Sequence, residues 1–138
     1  MAIKLKPSRQ DPIIATVPFV LADLTSGTAV PAVQLPANAR IKSVILRIDT
    51  AVNSGTTDAL VVQSNEGTPK SYVSISAAAN AVTTGIYTAV SSANLAFLNL
   101  VQSTLDIKWT GTGTAATTGA GVLIVEYVVE GRAEFTQG

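Results

Sequence analysis

Residues 105–109, LDIKW, alternate strictly, with Leu105, Ile107 and Trp109 on one side and Asp106 and Lys108 on the other. A period of two belongs to a half-buried β-strand, because successive side chains of an extended chain point to opposite faces. Residues 122–130, VLIVEYVVE, repeat the pattern, with Leu123, Val125, Tyr127 and Val129 against Val122, Ile124, Glu126, Val128 and Glu130. The same reading of residues 40–49 places Val44, Leu46 and Ile48 towards a core, and Ile41 and Ile45 outwards beside Arg47 and Asp49.

Shorter extended runs cover 13–24, 29–35, 59–63, 72–76, 83–90 and 95–101, separated by turn chemistry such as TSGT, PANA, NSGT and NEGTP. Pro18 restricts the first run to a sheet edge or a bend, and Pro31 interrupts the second. The alanines at 77–81 are too few to hold a helix, so a connection is expected there. The strand count is eight or nine. Short connections imply antiparallel pairing, with 105–109 and 122–130 forming a terminal hairpin. The expected fold is all-β, an antiparallel, jelly-roll-like β-sandwich over 13–138, preceded by an extended N-terminal arm over 1–12 bracketed by Pro7 and Pro12.

Composition narrows function mainly by exclusion. With no cysteine or histidine, the chain lacks the thiolate and imidazole that zinc, copper and haem sites need, and the nucleophile systems built on them. Nine basic and nine acidic residues cancel, and only 13% of residues are charged. Nucleic acid is therefore not the expected partner, whereas a weakly charged surface does little to hold copies apart. No apolar stretch approaches the eighteen or so residues of a membrane helix. The start, MAIKLKPSRQDP, is not followed by the apolar run of a secretory signal, so synthesis in the cytoplasm and no membrane partner are expected.

The run GTGTAATTGAG, 111–121, has the spacing of a dinucleotide loop, but it leads into a β-branched segment instead of the helix whose N-terminus would face a phosphate. It reads as a connection between strands. Asp106, Glu126 and Glu130 carry the acid–base chemistry available on the expected hairpin, yet all three fall on a solvated face with nothing to raise a carboxylate pKa. Asp49, Asp58 and Glu66 are too dispersed for a calcium loop. No cofactor, metal or catalytic residue is expected. Trp109 with Tyr72, Tyr87 and Tyr127 offers a sugar-stacking surface as an alternative to filling the core.

Two features point to assembly. The arm places Lys4, Lys6 and Arg9 beside Ile3 and Leu5, a pattern able to lie along a neighbour as an added strand. Ile41, Ile45, Val122, Ile124 and Val128 form an outward apolar band of the kind that marks a subunit interface.

The run PAVQLPANARIKSVILRIDTAVNSGTTDALVVQSNEG, and the closing TLDIKWTGTGTAATTGAGVLIVEYVVEG, resemble the small all-β virion proteins of tailed bacteriophages, in particular the capsid decoration or cementing proteins. The resemblance covers about 30–66 and 104–131. It implies a non-enzymatic protein that binds the outer surface of the capsid, with the phage major capsid protein as partner and a homodimer or homotrimer as its form. Another virion part, such as a head fibre base, tail or baseplate protein, and a carbohydrate-binding sandwich are the alternatives.

Overall fold

The structure is a computed structural model, and it describes residues 12–88, 98–99 and 102–129. The candidate residues Ile3, Lys4, Leu5, Lys6 and Arg9, and Glu130, lie outside the described residues.

Nine strands are present among the described residues: β1 Ile13–Val20, β2 Ala29–Leu35, β3 Ala39–Thr50, β4 Thr57–Ser64, β5 Ser71–Ala78, β6 Gly85–Thr88, β7 Leu98–Asn99, β8 Ser103–Thr112 and β9 Ala120–Val129. They form two antiparallel sheets. Sheet A has the order β1-β9-β3-β6, with β7 also pairing β3, and sheet B has the order β2-β8-β4-β5. The chain crosses from one sheet to the other at most steps, staying within sheet B at the β4–β5 hairpin and within sheet A from β6 to β7. Two sheets with the interleaved orders β1-β9-β3-β6 and β2-β8-β4-β5 are the jelly-roll form of the sandwich.

The strands follow from local chemistry. Asn38 adopts a left-handed φ of 67° in the turn before β3, which asparagine tolerates better than most residues. β1 stops at Val20, where a 3-10 turn over Leu21–Asp23 begins, so the extended run expected to reach residue 24 is shorter. Gly121 sits in β9 between Phe19 of β1 and Ile48 of β3. A side chain there would meet the Arg47 carbonyl and come within 2.9 Å of the Phe19 ring, so a bare backbone lets the three strands close up.

Between the sheets lies one apolar core. Sheet A contributes Phe19, Ile41, Val44, Leu46, Ile48, Leu123 and Val125, and sheet B contributes Val33, Leu35, Leu60, Val62, Val73, Ile75, Leu105, Ile107 and Trp109. Burial alternates along β4 and β9 as the sequence pattern requires.

Three expectations are corrected. β8 and β9 are not a hairpin, since β8 lies between β2 and β4 in sheet B while β9 lies between β1 and β3 in sheet A. The connection over 113–119 therefore passes across one end of the sandwich, and Asp106 and Glu126 belong to different sheets. Ile41 does not face outwards: it is 1% exposed and part of the core. A bulge between Ile41 and Ser43 adds one residue to β3, so Ile41 and Val44, three apart, both point inwards. Asp106 is not solvated but 5% exposed, flanked in register by Pro31 and Gln63 and accepting a 2.7 Å bond from Thr104 Oγ1.

Candidate interaction face

The outward side of sheet A is built from the residues that the core does not take. Along β1, Ala15, Val17 and Phe19 turn inwards, leaving Ile14, Thr16, Pro18 and Val20 outside. Along β9, Val122, Ile124, Glu126 and Val128 alternate with the core residues. β3 adds Ser43, Ile45 and Arg47, and β6 adds Ile86 and Thr88, since Tyr87 packs on the core.

Register arranges these side chains in rows across the strands. The central row is Thr16–Ile124–Ile45–Thr88, and beside it runs Pro18–Val122–Arg47–Ile86. On its other side lie Ile14, Glu126 and Ser43. Among the described residues, the large hydrophobic side chains that are exposed are Ile14 at 62%, Val20 at 49% and Ile86 at 69%, and all three belong to this face. The outside of sheet B has a different character, with Gln34, Gln63, Ser74, Ser76, Lys108 and Thr110 on it and Val61 as its branched aliphatic residue. Sheet A thus carries apolar surface that a soluble monomer ordinarily keeps small.

Of the residues singled out from sequence, Ile45, Val122, Ile124 and Val128 occupy this face and are half-buried by their neighbours. Ile41 does not join them. Ile14, Pro18, Val20 and Ile86 do, and the sequence signal for the first three was the alternation of IIATVPFV once Val17 and Phe19 are assigned to the core.

Charge on the face comes from Arg40, Arg47 and Asp49 of β3 and Glu126 of β9, with Lys42 exposed at the bulge. Arg47 donates from Nε to Asp49 Oδ1 at 2.7 Å and from Nη2 to Oδ2 at 3.2 Å, with both side chains about half exposed. The bonded carboxylate holds the guanidinium above its ordinary pKa. Glu126 lies across the apolar row from this pair.

Among the described residues no strand pairs with the outer edge of β1, along which Pro18 has no N–H to offer and the Val20 N–H donates to Asp23 Oδ2 at 3.0 Å.

A second feature is a cleft of about 360 Å³ at the end of the sandwich where 113–119 crosses, lined in part by Leu21, Leu24, Ser54, Trp109, Gly111 and Thr114. Gly111 leaves it open, because a side chain there would lie 2.6 Å from the Trp109 ring. The crossing segment is fastened by Asn53, whose Oδ1 accepts from the N–H groups of Thr117 and Thr118 at 2.8 and 2.9 Å. No helix starts at this loop, and Ala120 continues directly into β9. The phosphate-loop geometry is absent.

Trp109 is 7% exposed and Tyr72 1%, so the stacking surface does not form: both fill the core. The three dispersed acids are likewise engaged separately. Asp49 bonds Arg47, Asp58 bonds Ser54 and Trp109, and Glu66 accepts from Lys70 Nζ at 2.6 Å.

No family model matches the chain, and no curated protein matches its sequence. Solved structures share its fold. A chain of the acidic stable capsid of Helicobacter pylori bacteriophage KHP30 aligns with a TM-score of 0.66 at 18% identity, covering 90% of this chain and 93% of the other. A chain of the capsid of Ralstonia phage GP4 aligns with a TM-score of 0.59 at 17% identity, over 91% and 90%. A chain of the cyanophage Pam1 capsid asymmetric unit aligns with a TM-score of 0.57 at 13% identity, over 94% and 91%. At these identities the likeness is one of fold.

Proposed function

We propose that this protein is a non-enzymatic structural component of a phage virion, which binds the outer surface of the capsid and cements adjacent major capsid protein subunits. The observation that carries the reading is the nearly end-to-end alignment with chains of three phage capsids, at least 90% of each partner chain being covered. Those neighbours are thus chains of about this size, not single domains of much larger subunits.

The outer surface is favoured by charge. A protein lining packaged DNA needs a cationic face, and this chain has zero net charge and few charged residues. An apolar outer face on sheet A supplies contact area for other virion subunits, and the arm over 1–12 supplies a basic and aliphatic segment for the shell.

The test is binding of the purified protein to phage heads that lack it. Saturable co-sedimentation at a fixed ratio to the major capsid protein, together with heads that retain DNA to a higher temperature once the protein is added, supports the reading. Failure to bind would remove it. Heads that never assemble without the protein would instead make it a shell-forming subunit.

A further inference from the structure

We infer that the cleft at the end of the sandwich is a cation site that receives an arginine side chain from another protein. Its setting, a segment of a neighbouring virion protein, rests on the capsid reading, whereas the chemistry of the site is read from the cleft itself.

The first observation is a buried charge without a counter-charge. Asp58 has no solvent exposure, and its hydrogen-bond donors, Trp109 Nε1, Ser54 Oγ and the Ser54 N–H, are all neutral. The ion pairs among the described residues join Arg47 to Asp49 and Lys70 to Glu66, and neither involves Asp58. A fully buried carboxylate ordinarily has a cation beside it as well as hydrogen bonds.

The second observation is where that charge lies. Ser54 and Trp109, which bond it, both belong to the cleft wall, so the carboxylate stands directly behind the lining. Among the described residues no lysine or arginine lines the cleft. Asp23, on the turn that supplies Leu21 and Leu24 to the wall, is a second acid outside those ion pairs. The field in the cleft therefore favours a cation and disfavours a carboxylate or a phosphate.

The third observation is shape. A volume of about 360 Å³ is near the lower end for ligand sites and holds one long side chain, not a nucleotide or an oligosaccharide. Leu21 and Leu24 flank an aliphatic stem, and the Trp109 ring, its N–H turned to Asp58, meets the charged head. Arginine suits this better than lysine, because the guanidinium is planar, weakly hydrated and stacks on aromatic rings. Ser54 Oγ, donating to Asp58, keeps a lone pair for a guanidinium N–H and so links the incoming cation to the buried acid.

Trp109 is the chain's only tryptophan, so its fluorescence reports on the cleft. The probes are N-acetyl-arginine amide and its uncharged isostere, N-acetyl-citrulline amide, titrated into the purified full chain at low salt. The arginine probe should change the emission saturably, with a dissociation constant on the order of 1–10 mM. The citrulline probe should bind about tenfold more weakly, the worth of one desolvated cation contact. Ala115→Lys, at an exposed position of the wall, sets a fixed cation at the mouth and should weaken the arginine probe by about tenfold, whereas Ser74→Lys, on the outside of sheet B, should not. Asp58→Asn keeps an acceptor for Trp109 and should erase the difference between the probes. Should that variant not fold, the two probes on the wild type still decide.

Equal affinity for both probes, no saturable change with either, or arginine binding unaffected by Ala115→Lys overturns the inference. Binding that appears only once residues 1–11 are removed would make the chain's own arm the occupant and overturn the partner. Ala115→Lys should also weaken co-sedimentation with phage heads, and heads bound equally well would overturn a virion protein as the source of the arginine. A wild type that selects the arginine probe but does not bind heads would overturn the capsid reading and leave the site standing.

Discussion

The indole Nε1 of Trp109 donates a 3.0 Å hydrogen bond to Oδ1 of Asp58, a carboxylate with no solvent exposure. The same oxygen accepts from Ser54 Oγ at 2.5 Å, and Oδ2 accepts from the Ser54 N–H at 3.2 Å. One buried acid thereby ties β4 and β8 of sheet B to the loop that leaves β3. A buried carboxylate is tolerated where donors surround it, and removing it strands those donors.

Asp58→Ala is expected to cost about 3 kcal/mol, since Trp109 Nε1 loses its acceptor in a buried setting and both part-buried Ser54 donors lose theirs. Thermal unfolding should show a midpoint lower by roughly 10 °C. An unchanged midpoint would mean that water replaces the carboxylate at no cost.

Asn53→Ala should free the segment that crosses the end of the sandwich. Its side chain holds the Thr117 and Thr118 N–H groups and donates to Thr117 Oγ1 at 2.9 Å. Hydrogen exchange at those two amides should accelerate while the amides of β9 keep their protection, and global stability should fall by about 1.5 kcal/mol. Equal acceleration along β9 would show that the crossing is not a separable unit.

Tyr72 gives a pH dependence with a definite sign. Burial, and then the negative charge of Glu66, push its phenol above the ordinary value of 10.0. The folded state therefore holds the proton more tightly than the unfolded chain. The resulting stability is present in full below about pH 10 and is lost as pH rises through the folded-state pKa. Urea unfolding at pH 9 and pH 11 should show a larger loss for the wild type than for Tyr72→Phe, and equal losses would contradict the assignment.

How much of this was written in the sequence differs from feature to feature. The alternation in 105–109 and 122–129 identified both strands and their inward residues, because a period of two is a local property of the chain. It could not identify their neighbours. Alternation is the same whether a strand's partner is next in sequence or elsewhere, and a seven-residue connection reaches across a sandwich whose sheets are about 10 Å apart as easily as it closes a hairpin. The bulge at Ile41–Ser43 was invisible for a related reason: one inserted residue resets the period without leaving a sequence mark. The candidate face was half legible. Ile45, Val122 and Ile124 followed from the two best strands, whereas Ile86 lies on the four-residue strand β6, too short to declare which side is inward.

Under the proposed function the protein sits on the outside of a phage capsid and joins its subunits. Cryo-electron microscopy of intact particles, with the shell resolved well enough to trace strands, addresses it most directly. Two-sheet density with the β1-β9-β3-β6 and β2-β8-β4-β5 order is expected on the outer surface, bridging neighbouring major capsid protein subunits. Density for this chain confined to the tail or baseplate, or its absence from the particle, would contradict it.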